Sequence, residues 1–335
     1  MTSMRFPPLL LALLLALPLV AEESKPGDAP DPERTAKRLR LADELETQGD
    51  SEGALQVLEE IAKKDPKNVE LLQRIITLQL RADRVPDAVA TLRKLLEIEG
   101  GSPEQYASLA RALIESEQHE AAVPFLEDAV KEFPDQPDFP FLLTFALARL
   151  ERWVDAVAQF EKTLVIAGND PNLIDESFHF RYGAALEQSG NHEKGVAQLR
   201  KALSLIRSAQ PEETDPEFTA TVLNYLAYLW TDRDENLDEA GEMAREAIAL
   251  SPGNGAIADT LGWWHFRKGD YPRALADLKK AERLIEEPDP VIYDHIGQTL
   301  VKLNEKEIAA DYFRKALELE PENVETKKRL GEAEK

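Results

Sequence analysis

The sequence predicts an all-α chain, a solenoid of about eight helical hairpins closed by a C-terminal capping helix. Three observations predict it. Residue types recur at intervals of thirty-four through four consecutive windows. Within each half-window, apolar residues fall at i, i+3, i+4 and i+7, the period of an amphipathic helix. Turn and stop residues punctuate the pattern at fixed offsets: Gly49-Asp50, Gly190-Asn191 and Gly269-Asp270 between helices, and Pro66, Pro134, Pro252 and Pro321 after them.

The chain opens with Met1–Arg5, a short segment with one basic side chain, followed by the apolar run Leu9–Val20 and then Ala21. These are the three regions of a secretory signal peptide, assigned to 1–21. The run is interrupted by Pro18 and falls short of the roughly 20 residues a membrane span needs. Export is therefore expected, to the periplasm in a Gram-negative cell and otherwise to the medium, with no integral span after the signal is removed. Residues 22–34 are rich in Pro and acid and read as a flexible linker.

The repeats then follow. Windows 35–68, 69–102, 103–136 and 137–170 run without a gap, with Ala54, Ala88, Ala122 and Ala156 at one position and Leu58, Leu92, Leu126 and Phe160 at the next apolar one. Pro171–Asp175 is inserted before a fifth window, 176–209, marked by Gly183, Gly190, Gly195 and Ala202. The segment 208–219 contains PEETDPE and reads as an acidic linker dividing five hairpins from three. Windows 220–254, 255–288 and 290–323 complete the array, and the charged segment 324–335 reads as the capping helix.

In the last window Tyr293, Ile296-Gly297, Leu300, Ala309, Phe313, Ala316 and Pro321 stand where the tetratricopeptide pattern has large residue, Leu-Gly, large residue, Ala, Phe, Ala and Pro. Leu261-Gly262, His265, Gly269, Ala274, Leu278 and Ala281 match it in the seventh. The chain thus resembles the tetratricopeptide-repeat family from 35 to 323. The resemblance implies a right-handed superhelix with a concave groove, lined by about the second, fifth, ninth, twelfth and thirteenth residues of each first helix. Residues 223–321 also resemble the C-terminal part of many bacterial repeat proteins, several of them exported or attached to the outer membrane, which favours a cell-envelope protein.

Those positions grade from charged or polar (Asp43, Glu46, Glu70, Gln73, Arg81, Glu104, Arg111, Glu115) to aromatic. Phe141, Phe145, Phe180, Tyr228, Trp263 and Phe266 are expected to form a peptide-binding strip, with Arg149, Asn224, Asp259 and Arg267 orienting the ligand. The competing placement for the same aromatics is between hairpins, as core. The Lys and Asn at fifth and ninth positions with which some family members grip a C-terminal carboxylate are not found together in any window.

Composition narrows the function classes. With 40 Lys and Arg against 63 Asp and Glu, the net charge is −23, which repels phosphate backbones and argues against nucleic acid. No cysteine is present, so disulfides, thiolate metal sites and a thiol nucleophile are excluded. The histidines fall singly in different windows. His119 and His192 are expected in exposed turn positions and His265 at a satisfied, partly buried one. No phosphate-cradling glycine loop, nucleophile elbow or paired metal-ligating histidine motif occurs, so no cofactor or metal is expected. The expectation is a non-enzymatic scaffold for a protein or peptide partner; the alternative is a structural subunit that assembles through its own repeat faces.

Overall fold

A computed structural model describes residues 32–210 and 214–335, and among these residues the chain forms seventeen α-helices and no strand. The expected signal peptide, and all but the last three residues of the expected linker 22–34, lie outside them. The described residues divide into two compact units, bounded at Asp170 and Pro171.

Unit one holds four hairpins: α1 (Pro32–Thr47) with α2 (Ser51–Ala62), α3 (Val69–Arg81) with α4 (Val85–Glu99), α5 (Pro103–Glu115) with α6 (His119–Glu132), and α7 (Asp138–Arg149) with α8 (Trp153–Ala167). Unit two holds α9 (Glu176–Gln188) with α10 (His192–Ser208), α11 (Pro216–Arg233) with α12 (Leu237–Leu250), α13 (Gly255–Arg267) with α14 (Tyr271–Leu284), α15 (Pro290–Lys302) with α16 (Lys306–Leu319), and the closing helix α17 (Val324–Ala333). Odd-numbered helices are the first helices of their hairpins.

Each window starts a helix for a local reason. Asn68, Asp175, Asn254 and Asp289 place a side-chain oxygen on the free N–H groups of the first turn, and Pro103, Pro216 and Pro290 occupy positions where the missing N–H costs nothing. Seven hairpins reverse through one residue in the left-handed region and the sixth through two, Asp234 and Asn236. Gly49, Gly190 and Gly269 take it at φ near +80°, but the same turn in other hairpins is made by Asp83, Glu117, Glu151 and Asn304. Small residues then bring the paired helices together. A Cβ on Gly262 would stand 2.7 Å from Leu278 Cγ and 3.0 Å from the Leu278 backbone nitrogen, so only glycine permits this spacing.

Between hairpins the large residues pack. In unit one Tyr106 stacks on Phe125, and Phe133 bridges Tyr106 and Phe139, joining the third hairpin to the fourth. In unit two one core runs from Leu199, Leu203 and Ile206 of α10 through Leu223, Leu226 and Trp230 of α11 to Ala244 and Ala247 of α12.

That core corrects the expected lobes. The fifth hairpin packs with the sixth across the acidic segment, so the division falls at 170/171, giving four hairpins on each side rather than five and three. The acidic linker is also shorter than 208–219. Ser208 still belongs to α10, and Asp215 caps a helix that already begins at Pro216. Likewise α1 starts at Pro32, inside the segment expected to be linker. Helix α17 closes the array with Leu330 and Ala333 on the last hairpin, while Val324, expected to continue the apolar pattern, is exposed.

Candidate functional site

The predicted strip separates into two groups, one in each unit. In unit one Phe141 and Phe145 lie half-buried on α7, edge to face at 5.1 Å, with Phe160 of α8 against Phe141. Arg149, one turn further, is exposed. The polar positions earlier in the unit are partly tied to one another: Arg74 of α3 reaches Asp43 and Glu46 of α1, and Arg111 pairs with Asp138.

The larger group stands on the first helices of unit two, where α13 packs against both α11 and α15. Asn224, Tyr228 and Asp232 follow at i, i+4 and i+8 along α11, and Asp259, Trp263 and Arg267 do so along α13, so each set shares one helix face. Tyr228 and Phe266 are half-buried and present part of their rings. Burial pushes the Tyr228 hydroxyl up to about 12, helped by the nearby carboxylates of Asp232, Asp259 and Asp289.

Three of the predicted contact residues serve the fold instead. Trp263 is only 5% exposed, because its ring is stacked between Phe266 at 4.5 Å and His295 of α15 at 4.0 Å. Asp259 is turned into the same seam, where its Oδ1 accepts a hydrogen bond from His295 Nδ1 at 2.9 Å. Phe180 meets Phe218 and Tyr225 edge to face and so joins the fifth hairpin to the sixth. Arg267 is half-buried, 3.5 Å from Asp234 and 5.9 Å from the Trp263 ring.

The Asp259–His295 pair is the electrostatic centre of this face. Burial opposes the imidazolium, but Asp259, followed by Asp294 and Asp232, overrides it and raises the His295 pKa. Asp294 is held in turn by Arg329 of α17 at 2.9 Å and by the Thr326 hydroxyl. Two buried polar atoms on the face have no partner: the Trp263 indole nitrogen and the Asn224 amide oxygen.

Single-helix periodicity did not expose His295, Asp232, Asp289 or Asp294. The available signal was a pairing of windows: Asp259 at the fifth position of one first helix and His295 at the sixth of the next. His265 is satisfied as expected, 2.8 Å from Asp277, and His192 is exposed beside Glu187. His119 differs from expectation. Both its ring nitrogens are buried without a partner.

Unit one also carries a cavity of about 370 Å³ between α2, α3 and α4, whose lining includes Leu72, Ile75 and Gln79. Among the described residues no three His, Asp or Glu side chains are grouped to hold a metal ion. No described helix is long and apolar enough to cross a membrane.

Three tetratricopeptide-repeat family profiles match this sequence, over residues 45–113, 108–172, and 177–208 with 291–323, together more than half of it. A TPR repeat-containing protein of Pseudomonas aeruginosa is 32% identical over 103 residues, which is 31% of this chain and 16% of that protein. A TPR repeat-containing protein of Bacillus subtilis is 21% identical over 175 residues, 52% of this chain and 40% of the relative. The matches thus span well under half the length of either relative. Among solved structures, the APC/C hetero-tetramer Cut9–Hcn1 superposes with a TM-score of 0.56 at 14% identity, over 91% of this chain and 57% of that one. The hairpins, their spacing and these matches agree: the chain belongs to the tetratricopeptide-repeat family.

Proposed function

We propose that this chain is a non-enzymatic scaffold of the cell envelope that holds a peptide or protein segment against the first-helix face of unit two. The observation that carries the reading is that Tyr228 and Phe266 on neighbouring first helices are only half-buried, with the half-buried guanidinium of Arg267 next to Phe266. Partly open aromatic rings beside hydrogen-bonding groups suit a peptide, which brings both side chains and amides. The Asp259–His295 and Trp263–His295 contacts hold the face rigid before a ligand arrives, which lowers the ordering cost of binding.

The test is affinity capture from cell-envelope extract with the wild-type chain and a Tyr228→Ala/Phe266→Ala variant. Both residues are half-buried, so the variant is expected to keep its helical circular dichroism while losing the captured partner. Capture that survives in the folded variant contradicts the reading. The envelope location rests on residues 1–21. N-terminal sequencing of the chain from a periplasmic extract is expected to begin after that segment, and an intact Met1 in a cytoplasmic fraction would overturn it. Light scattering distinguishes the assembly alternative, which requires a stable oligomer.

A further inference from the structure

Three charged or titratable side chains meet where the fifth hairpin joins the sixth. Glu187 is in the last turn of α9, His192 is the first residue of α10, and Arg233 ends α11. The Glu187 side chain is 3% exposed, so its charge depends on partners rather than on water. The fold makes room for it. At the second-helix position where nearby hairpins carry Ala156, Ala240 and Ala274, the fifth has Gly195, and a Cβ there would stand 2.8 Å from Glu187 Oε1. The His192 side chain, by contrast, is 53% exposed and so exchanges protons with solvent.

One nitrogen of His192 touches both partners. Its Nδ1 lies 2.8 Å from Glu187 Oε2 and 2.5 Å from Arg233 Nη2. Arg233 Nη2 also donates to Glu187 Oε2 at 2.5 Å. A guanidinium only donates, so the contact with Arg233 requires a lone pair on Nδ1. An ionised carboxylate only accepts, so the contact with Glu187 requires a hydrogen on the same atom. Nδ1 cannot satisfy both in one protonation state.

We propose that His192 is a proton-operated latch between the fifth and sixth hairpins. When the ring is neutral with its hydrogen on Nε2, Nδ1 accepts from Arg233, and Arg233 holds the buried Glu187 across the junction. When the ring takes up a proton, Nδ1–H donates to Glu187, and the imidazolium displaces and repels the guanidinium. The proton thus moves Glu187 from a partner on the next hairpin to one on its own, and the sixth hairpin loosens on the fifth. Glu193 and Lys194 follow His192 on α10 and are exposed. Asp232 and Glu235 act on Arg233. The Tyr225 hydroxyl of α11, pushed up by burial and bonded to Gln188, keeps its proton through the histidine range. Arg233 shares its helix with Tyr228, so acidification acts on an element of the proposed binding face, although the latch itself does not depend on that reading.

The test measures the coupling between Glu187 and Arg233 in the full chain. A double-mutant cycle uses Glu187→Gln and Arg233→Gln, singly and together, with urea unfolding followed by tryptophan fluorescence. It is run at about pH 5.5 and about pH 8, on either side of the histidine range, and repeated with His192→Ala throughout. The cycle cancels pH effects from distant groups, His295 included. With His192 present, the coupling is expected to change the unfolding constant by about fivefold more at the higher pH. With His192→Ala it is expected to stay within about twofold. A coupling that is unchanged with pH when His192 is present, or that grows on acidification, overturns the latch. So does an equal pH change with His192→Ala.

A second measurement leaves the buried pair intact. The ring nitrogen NMR signals of His192, assigned by their absence from His192→Ala, report where the hydrogen resides. Above the ring's titration the hydrogen is expected on Nε2, with Nδ1 bare. A hydrogen on Nδ1 there would mean that His192 donates to Glu187 at every pH, and would overturn the proposal even if Glu187→Gln fails to fold.

Discussion

The buried pair Asp259–His295 yields the sharpest stability prediction. Its side chains are 8% and 7% exposed, and their hydrogen bond joins α13 to α15 at 2.9 Å. Removing one partner of a buried ion pair costs about 3–5 kcal/mol. Asp259→Asn keeps an amide oxygen that accepts from neutral His295, so the lower end, about 3 kcal/mol, is expected. The pH dependence has a definite sign. The His295 pKa is raised in the folded chain above its ordinary 6.5, so its contribution is full below pH 6.5 and is lost as the pH rises through the folded-state value. The assay is urea unfolding of wild type, Asp259→Asn, His295→Gln and the double variant, followed by tryptophan fluorescence. Of the four tryptophans only Trp153 lies outside unit two. The coupling from the double-mutant cycle is expected at about 2–3 kcal/mol below pH 6.5. It should fall at high pH toward the roughly 1 kcal/mol of a neutral hydrogen bond. Coupling that is absent, or that does not change with pH, refutes the assignment of a charged pair.

Three further perturbations follow from the packing. Arg233→Ala leaves Glu187, whose side chain is 3% exposed, with His192 as its one ion-pair partner among the described residues; a loss of about 2–4 kcal/mol is expected in urea unfolding of unit two. Gly262→Ala places a methyl 2.7 Å from Leu278 Cγ and close to its backbone, so overpacking of about 1–3 kcal/mol is expected, read as a lower melting temperature. Glu117→Gly and Glu151→Gly relieve left-handed residues at φ 60° and 56°, and each is expected to raise stability by about 1 kcal/mol, measured by calorimetry.

The repeat was legible because its determinants are local. Ala54, Ala88, Ala122 and Ala156 mark close helix contacts at one fixed spacing, and a turn or a cap depends on a few neighbouring residues. The boundary between the units was harder to read. PEETDPE looks like a break by composition, yet Leu203 and Leu223 share a core across it, and the division lies at the shorter insertion beginning at Pro171. Turn residues were only half legible, since glycine announces a left-handed turn while Asp83, Glu117 and Asn304 adopt it under the constraint of their hairpins.

For the candidate site, position within a helix identified the face but not the depth of each side chain. Trp263 and Tyr228 occupy the same position of successive first helices. Tyr228 stays partly open, whereas His295 of the following hairpin covers Trp263. Asp259 likewise has the pattern of an orienting surface charge within its own window, but its partner, 36 residues further on, draws it into the same seam. Such contacts depend on which residue the next repeat supplies, information that no single window contains.

The central claim is that unit two captures its partner through the Tyr228 and Phe266 face. The most direct measurement compares partner binding in affinity capture from cell-envelope extract by the wild-type chain and by Tyr228→Ala/Phe266→Ala, with thermal melts recorded on the same samples. The account predicts loss of binding by about tenfold or more with the helical melt preserved. Undiminished binding by a fully folded variant would contradict it.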